Sequence, residues 1–323
     1  MRIVLLGTGA ATPTLLRWPT STAILRSRET LLFDCGEGTQ VQFLRAKLKP
    51  GKLARIFISH FHGDHFNGLI GMLTSMQLSG RQKELQVYGP KGLAEYLTFM
   101  QSVSQVTFGY SIHLNEVAAG VEKTVWDMGE YTVTAMPLTH RMTTLGFRIE
   151  EQKRPGKFDQ TSAERLGIAS GPVRRLLKQG QTVELPDGTQ VEPEQVIGPT
   201  RPGKKIAVCL DTVPCKNAVT LAKNVDVLIH EGTFETSKTA WAQDTGHSTA
   251  AQAANIAKEA GARKLILTHI SARYDKTGEK HLLAEAREIF PNTIMGFDLM
   301  RVEVKSHPVV KSSNAQGTGT MNT

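Results

Sequence analysis

The residues with the clearest chemical meaning lie at positions 60–65, where the sequence reads His-Phe-His-Gly-Asp-His. They directly follow residues 55–59, an apolar run that predicts a β-strand. Imidazole and carboxylate groups packed at the end of one strand lose hydration and repel one another unless a cation or hydrogen bonds offset that cost. Because alternating side chains of a tight loop can face a common centre, the cluster predicts a metal site.

Three further ligand candidates stand where later strand-like runs end: His140, Asp211 and His269. Sheets of α/β proteins place ligands at the carboxyl ends of their strands, although each of these residues taken singly is more typical of a turn or a backbone contact. With the loop they make five histidines and two aspartates, which suit zinc, manganese or iron. That number exceeds the needs of one tetrahedral zinc but suffices for two ions if one carboxylate bridges them. The candidate ligands are His60, His62, Asp64, His65, His140, Asp211 and His269.

Strand and helix patterns alternate along most of the chain and form the framework for these ligands. Up to residue 150 the predicted strands are 2–6, 22–25, 31–34, 55–59, 85–88, 132–137 and 146–150, and the predicted helices are 68–78 and 92–101. From residue 206 the predicted strands are 206–211, 225–231, 264–269 and 298–304, and the predicted helices are 217–222, 249–260 and 281–289. This mixed order predicts an α/β core of layered sheets flanked by helices.

Residues 151–205 differ in character, with six prolines and few apolar clusters. Residues 151–182 carry seven basic and three acidic side chains, which gives +4 of the chain's net +8. We interpret the segment as an insertion that projects from the core. On charge alone, a solvated, charged loop is the leading interpretation, and binding of a structured RNA through its phosphates is the alternative. Long loops without a core of their own commonly serve binding. Residues 307–323 are rich in Ser, Gly, Thr and Asn and predict a disordered tail.

The overall composition excludes several classes of protein. With 40% hydrophobic and 21% charged residues over 323 positions, the chain is neither fibrous nor wholly disordered. Its apolar runs are strand-sized, far below the ~20 residues of a membrane span, and its start predicts a first strand rather than a secretion signal. Three cysteines without a paired spacing favour a reducing cytoplasm. A net charge of +8 and a pI near 9.4 favour a polyanionic partner such as nucleic acid.

The metal motif and the later strand-end ligands resemble the metallo-β-lactamase superfamily of hydrolases, as do the opening Gly-Thr-Gly-Ala-Ala-Thr-Pro and the segment 34–40. Three further segments are similar to its ribonuclease Z branch, the short-form tRNA 3′-processing endonucleases. They are His-Glu-Gly-Thr-Phe at 230–234, Gly-His-Ser-Thr at 246–249 and Leu-Thr-His-Ile-Ser-Ala-Arg-Tyr at 267–274. The resemblance implies a four-layer αββα sandwich over residues 1–150 and 206–306, with 151–205 as a protruding tRNA-binding arm.

The resemblance also assigns roles to the ligands. It implies two zinc ions per subunit, one held by His60, His62 and His140 and the other by Asp64, His65 and His269, with Asp211 as the bridge. Manganese or cobalt are alternative occupants of the same ligands. Asp64 is further implied as the proton acceptor that orients the nucleophile.

His247 is implied by the resemblance as the proton donor to the leaving oxygen, a role that suits an imidazole. Glu231, at a strand end beside the site, is our candidate for the carboxylate that keeps His247 protonated. Capping or surface roles are the alternatives for both residues. A helix beginning at 248–251 opposes this assignment, because a helix N-terminus lowers the pKa of a nearby histidine.

Other residues are candidates for holding the substrate. Arg273 and Tyr274 follow His269 and suit a phosphate, with a surface arginine and a packed tyrosine as the alternative. In the insertion, the likeness to the family's exosite arm rests on a Gly-Pro turn. The substrate-binding candidates there are Lys153, Arg154, Lys157, Gly171 and Pro172.

These observations predict a zinc-dependent endoribonuclease that removes the 3′ trailer of precursor tRNA and leaves a 3′-hydroxyl on the tRNA. A small-molecule phosphodiesterase or lactamase-type hydrolase on the same dinuclear core is the alternative. A non-catalytic RNA-binding module would show loss of ligands, and all the candidates are present. The resemblance implies a homodimer, for which apolar residues of the predicted helix 68–78 are either an interface or part of the core.

Overall fold

The structure is a computed structural model that describes residues 1–118, 120, 123–127 and 129–305. These residues divide into two compact units. The first unit consists of Met1–Gln152 together with Lys204–Lys305, and the second includes Lys153–Gly203. The predicted disordered tail, 307–323, lies outside the described residues.

The first unit contains two mixed β-sheets, each with seven strands among the described residues. Strands in the first half are β1 (Arg2–Gly7), β2 (Gly9–Ala10), β3 (Ser21–Leu25), β4 (Thr30–Phe33), β5 (Leu53–Phe57), β6 (Leu85–Pro90), β7 (Ile112–Val117), β8 (Lys123–Asp127), β9 (Tyr131–Leu138) and β10 (Thr144–Glu151). After the insertion, which contributes β11 (Val183–Glu184) and β12 (Gln190–Val191), come β13 (Lys205–Cys209), β14 (Val227–Glu231), β15 (Leu265–Thr268), β16 (Ile270–Ser271), β17 (Thr293–Met295) and β18 (Arg301–Glu303). The strand orders are β18-β1-β3-β4-β5-β6-β7 and β17-β15-β14-β13-β10-β9-β8.

Among the described residues, the first unit has eight α-helices and the inserted unit has two. In chain order they are α1 (Thr39–Arg45), α2 (Gly63–Phe66), α3 (Gly68–Leu78), α4 (Leu93–Ser104), α5 (Gln160–Arg165), α6 (Pro172–Lys178), α7 (Lys216–Ala222), α8 (Thr239–Thr245), α9 (Ala250–Glu259) and α10 (Lys276–Ile289). Within the described part of the chain, none of them combines the length and the apolar character that a membrane span requires.

Alternation along the strands creates the layers of this fold. In β1, Ile3 and Leu5 belong to the core between the two sheets, whereas Val4 and Leu6 belong to the core beneath α1, α3 and α4. Successive side chains point to opposite faces, so a strand covered on both faces is apolar throughout. A third apolar core lies between the outer face of the second sheet and α7, α9 and α10. The layers are therefore helix, sheet, sheet and helix, which confirms the predicted αββα sandwich.

Aromatic residues hold the two sheets together. Phe33 and Phe57 stack within the first sheet with ring centroids 4.8 Å apart. Phe147, on the second sheet, contacts both at 5.7 Å and 5.5 Å. Each such pair contributes about 0.5–1.5 kcal/mol beyond the area it buries.

Several predicted elements differ from the structure at their boundaries. The helix predicted at 281–289 begins at Lys276, because the Asp275 side chain accepts hydrogen bonds from the backbone of Thr277 and Gly278 and caps the helix. The strand predicted at 298–304 is limited to Arg301–Glu303. In α3, the side chains of Leu69, Met72, Leu73 and Met76 are buried, so these apolar residues belong to the core.

The inserted unit has a core of its own, which corrects the expectation of a loop with few apolar clusters. Its regular structure consists of two α-helices, α5 and α6, the hairpin of β11 and β12, and a 3₁₀ helix at Pro193–Gln195. The expectation failed because the apolar residues are spaced singly along the chain and meet only after folding. The buried members of this core are Ala163, Ile168, Leu177, Val183, Val191 and Val196.

Candidate metal centre and active site

The loop after β5 contributes four of the predicted ligands. His60 is fully buried two residues beyond Ile58, and His62 is the N-cap of the single helical turn α2. That turn carries Asp64 and His65, of which His65 is fully buried. One tight loop and one helical turn thus present four ligand side chains at the end of a strand.

Three other ligands come from strand ends: His140 after β9, Asp211 after β13 and His269 after β15. Strands β13, β14 and β15 are parallel neighbours, so their carboxyl ends meet at one edge of the sheet. Asp211 and His269 both adopt left-handed backbone conformations, with φ of 43° and 56°. Such conformations cost about 1–3 kcal/mol outside glycine and concentrate at functional sites.

The first group of ligand atoms belongs to His60, His62, His140 and Asp211, and these atoms lie within 4.8 Å of one another. His140 Nε2 lies 3.3 Å from His62 Nδ1. Asp211 Oδ2 lies 3.5 Å from His60 Nε2 and 3.8 Å from His140 Nε2. Three imidazole nitrogens and one carboxylate oxygen therefore surround one point.

The second group consists of Asp64, His65 and His269, again within 4.8 Å. His269 Nε2 lies 3.1 Å from His65 Nε2 and 3.2 Å from Asp64 Oδ2. Asp211 Oδ1 lies 3.1 Å and 3.2 Å from the same two imidazole nitrogens. The two oxygens of Asp211 thus face different groups, which is the arrangement of a bridging carboxylate.

The donor set fits divalent metal ions. Among the described residues, His60 Nε2 and Asp211 Oδ1 are buried and lack a hydrogen-bond partner, although a buried polar atom without a partner costs about 1–3 kcal/mol. Both atoms face the ligand groups described above. Nitrogen and oxygen ligands in this proportion suit zinc and neighbouring transition metals. The clustered histidines and aspartates therefore indicate metal binding.

Four ligand histidines have a second partner that fixes the orientation of the ring. Such partners select the tautomer that leaves the other ring nitrogen free for a metal. Asp34, Thr233 and Gly246 are not among the predicted site residues, since they join the site only through tertiary contacts. The pairs are His60 Nδ1 with Ser59 Oγ (2.9 Å), His65 Nδ1 with Asp34 Oδ2 (2.6 Å), His140 Nδ1 with the Gly246 carbonyl (2.7 Å) and His269 Nδ1 with Thr233 Oγ1 (3.0 Å).

At Asp64 and His140 the electrostatics favour the form that binds a metal, whereas at His65 the carboxylates of Asp211 and Asp34 outweigh burial and raise the pKa. Burial disfavours the Asp64 carboxylate, but the interactions with the imidazoles of His269 and His65 outweigh it and hold the pKa of Asp64 well below its usual range. Burial lowers the pKa of His140 to about 4. An ionised carboxylate and a neutral imidazole are the states that bind metals.

Glu231 and His247 form a pair beside these ligands. Glu231 is fully buried, and its Oε1 lies 3.1 Å from His247 Nδ1. The same carboxylate accepts hydrogen bonds from the backbone N–H of Thr212 and of Ser248 and from the Thr233 hydroxyl. Burial opposes the charged imidazolium, but Glu231 outweighs it and raises the pKa of His247 to about 9. The carboxylate therefore overcomes the lowering expected of the helix N-terminus at Thr249.

A cavity of about 540 Å³ opens onto this site. Asp64, Asp211, His247 and His269 line it, so the ligand groups and the Glu231–His247 pair share one accessible space. Arg273 also lines the cavity, as do two aromatic residues absent from the predicted site residues, Phe234 and Trp241. No local sequence pattern marks a half-exposed tryptophan as part of a site.

The remaining predicted substrate residues lie elsewhere. Tyr274 is not among the residues that line the cavity, and its hydroxyl accepts a hydrogen bond from the Glu235 backbone N–H at 3.0 Å. Within the inserted unit, Lys153 and Arg154 line a separate cavity of about 740 Å³. In the same unit, Lys157 is exposed, and Gly171 with Pro172 begins α6.

Comparison with known proteins gives concordant matches. The model of the family described as beta-lactamase superfamily domain matches residues 180–270, and that of the Anti-Pycsar protein Apyc1 matches residues 1–152. The chain is 44% identical to a ribonuclease Z of Acaryochloris marina, over 94% of this chain and 98% of that protein. It is 43% identical to a ribonuclease BN of Cronobacter sakazakii, over 94% of this chain and 100% of that protein. The structure of human tRNase Z, short form, matches with a TM-score of 0.69 and 26% identity, over 94% of this chain and 100% of that chain.

The αββα sandwich and its edge of clustered histidines and aspartates define an enzyme of the metallo-β-lactamase superfamily. Similarity over nearly the full length identifies the family within this superfamily, because relatives above 40% identity span nearly the whole chain. The chain belongs to the ribonuclease Z family. The family predicted from the sequence motifs is thereby confirmed.

Proposed function

We propose that this protein is a metal-dependent endoribonuclease that removes the 3′ trailer from precursor tRNA and leaves a 3′-hydroxyl on the tRNA. The observation that carries the proposal is the meeting of two ligand groups at Asp211 beside the Glu231–His247 pair, in a chain of the ribonuclease Z family. The proposed cofactors are two zinc ions per subunit, since the first group offers three imidazoles and the second two imidazoles and a carboxylate.

The residues at the two ligand groups have distinct roles in the proposed reaction. When bound, two divalent ions polarise a phosphodiester and make water more acidic. Asp64 Oδ2 accepts a hydrogen bond from the Ala11 backbone N–H at 2.7 Å, which fixes the carboxylate at the rim of the cavity. In the proposed reaction, this ionised carboxylate orients the attacking water by accepting its proton.

The reaction also needs a group that donates a proton to the leaving oxygen. His247 is protonated near neutral pH because Glu231 stabilises its charge, so it can donate the proton on its other ring nitrogen, Nε2. We assign the leaving oxygen to the ribose 3′-oxygen of the tRNA. Protonation of that oxygen gives a 3′-hydroxyl on the tRNA and a 5′-phosphate on the trailer.

We assign the selection of the substrate to the inserted unit and its net positive charge. The +4 of residues 151–182 is available for phosphates of a tRNA body, with the salt dependence that such contacts bring. Lys153, Arg154, Lys157 and the Gly171-Pro172 turn remain the proposed contacts. We further propose a homodimer in the cytoplasm, where the three free cysteines stay reduced.

The test is cleavage of a 3′-extended precursor tRNA by the purified protein, with metal content measured on the same sample. A single cut beside the discriminator base, lost on chelation and restored by zinc or manganese, supports the proposal. Degradation of the released trailer by an exonuclease that requires a 5′-phosphate would show that the phosphate stays on the trailer, as proposed. Two bound metals without cleavage would favour the small-molecule hydrolase, for which bis(p-nitrophenyl) phosphate is the comparison substrate.

A matched pair of variants isolates the proton donor. His247→Ala removes the side chain beside Glu231, whereas His113→Ala removes an exposed histidine that pairs with Glu84 at 3.2 Å. General acid catalysis contributes about 10²–10⁴-fold, so only the first variant loses that factor in kcat. Equal activity of the two variants would exclude His247 as the donor.

A further inference from the structure

Three side chains that line the cavity, Phe234, Trp241 and Arg273, lie in contact with one another. The rings of Phe234 and Trp241 are nearly parallel, at 24° and with centroids 6.0 Å apart. The Arg273 guanidinium carbon lies 4.1 Å from the Trp241 ring centroid and 5.1 Å from that of Phe234. All three residues line the same cavity as Asp64 and His247. We call this set the stacking wall.

Packing in the core does not explain the presence of a tryptophan at position 241. It is 49% exposed, and the buried residue of its helix, α8, is Ala242. Of the exposed large apolar side chains among the described residues, Trp241 is the one that lines this cavity. A large aromatic ring left half in water at the mouth of a polar site is typical of a binding surface.

The Arg273 guanidinium can offer its charge and further N–H donors to a ligand. Its Nε donates to Ser271 Oγ at 2.9 Å, and within the described part of the chain its guanidinium forms no ion pair. A guanidinium held over aromatic rings keeps its charge and offers a flat face. Flat aromatic and guanidinium faces are the surfaces on which proteins stack unpaired RNA bases.

The stacking wall contacts the proposed proton donor, His247. The Phe234 ring meets the His247 ring edge to face at 69°, with centroids 6.0 Å apart. Helix α8, which carries Trp241, ends at Thr245, and its C-cap residue Gly246 immediately precedes His247. A nucleotide whose 3′-oxygen reaches His247 can therefore place its base against Phe234 and Trp241.

We propose that Phe234, Trp241 and Arg273 stack the unpaired base of the last nucleotide retained on the tRNA, and so position its 3′-oxygen at His247. This inference rests on the proposed function, because it uses the assignment of the leaving oxygen. It makes Trp241 a positioning residue for the substrate end, with no dependence on which base is present, since every base has a π-face.

The kinetic test compares three precursor tRNAs: intact, abasic at the last tRNA nucleotide, and abasic at the first trailer nucleotide. Stacking of one base is worth about 5- to 150-fold in affinity. We expect the first abasic site to lower kcat/KM by a factor in that range and the second to change it little. Trp241→Ala should lose the sensitivity to the missing base, and Trp241→Phe should keep most of it.

One control variant and one refuting outcome make the result decisive. Phe99→Ala removes an aromatic side chain that is 61% exposed on α4 and does not line the cavity, so it should leave all three rates unchanged. If Trp241→Ala slows the intact and both abasic substrates equally, the residue serves only the structure around Gly246 and the proposal is wrong.

A binding measurement separates this proposal from the proposed function. Trailer-free tRNA with or without its terminal base is titrated against the full-length protein, and tryptophan fluorescence is compared with that of Trp241→Phe, which retains two of the three tryptophans. Quenching that needs both the base and Trp241 supports the stacking wall even if the protein cuts no precursor. Cleavage without any effect of the base would reject the wall and keep the proposed function.

Discussion

Replacing Gly246 by alanine tests how the site holds its ligands. Gly246 has φ of 79°, and its carbonyl accepts the hydrogen bond from His140 Nδ1 at 2.7 Å. A Cβ at this position would lie 2.5 Å from His140 Nδ1 and 3.1 Å from its Cε1. Gly80 offers a matched control, with φ of 74° and open space where its Cβ would be.

The expected effect has two parts. The left-handed backbone costs an alanine about 1–2 kcal/mol in either variant, so both lose a similar amount of stability. Only Gly246→Ala forces the His140 ring to retreat by roughly 1 Å to reach ordinary contact distance. That retreat breaks the orienting hydrogen bond and moves Nε2 away from Asp211 and His62. Loss of an orienting partner weakens metal affinity by about 10–100-fold.

Chelator competition measures the affinity for zinc in both variants, and thermal unfolding of the metal-free proteins measures their stability. We expect similar melting temperatures for Gly246→Ala and Gly80→Ala but weaker metal binding for Gly246→Ala alone. Equal metal affinity in the two variants would refute the idea that the Gly246 carbonyl sets the orientation of His140. A large additional loss of stability in Gly246→Ala would show instead that the clash is relieved through the backbone.

Three other perturbations follow from the same structure. Asp211→Asn removes the charge shared by both ligand groups, so metal content should fall for both ions and cleavage by at least ~100-fold; two retained ions with full activity would exclude the bridge. Leu177→Ala should cost the inserted unit about 2–5 kcal/mol, seen as faster hydrogen exchange there, whereas its exposed neighbour Leu176→Ala should cost little. Exchanging Lys153–Gly203 for a short glycine linker is feasible because Glu151 N–H and the Lys204 carbonyl are hydrogen-bonded at 2.9 Å. It should raise KM for precursor tRNA while sparing bis(p-nitrophenyl) phosphate, and equal losses on both would make the unit structural.

Much of the framework could be predicted from local pattern. The strands that carry the ligands are short and apolar, with their ends marked by His or Asp, so both the strand and the ligand are visible in a few consecutive residues. Layered sheets flanked by helices follow from the mixed order of strand and helix patterns, whereas the four-layer αββα order was implied by the family resemblance. Element boundaries were less accurate at α10, where the cap Asp275 lies six residues before the predicted start of the helix at 281.

The orienting partners could not be predicted in the same way. Gly246 lies 106 positions from His140, and Asp34 lies 31 positions from His65. Neither residue carries a local signal for this contact, because strand order in the sheets decides which distant loops meet. The core of the inserted unit has the same origin, since its members stand singly in the sequence and become neighbours only through the fold.

The sequence by itself determined the chemistry of this protein: the ligand types, their positions at strand ends, the pairing of His247 with a nearby carboxylate as a hypothesis, and the family. These depend on residue identity and on short-range geometry, which a linear pattern contains. Only the tertiary structure decided that Asp211 faces both ligand groups, that Glu231 is buried with its charge held against His247, and that Trp241 stands at the cavity. Those features depend on burial and on contacts between distant segments, which arise when the two sheets pack together.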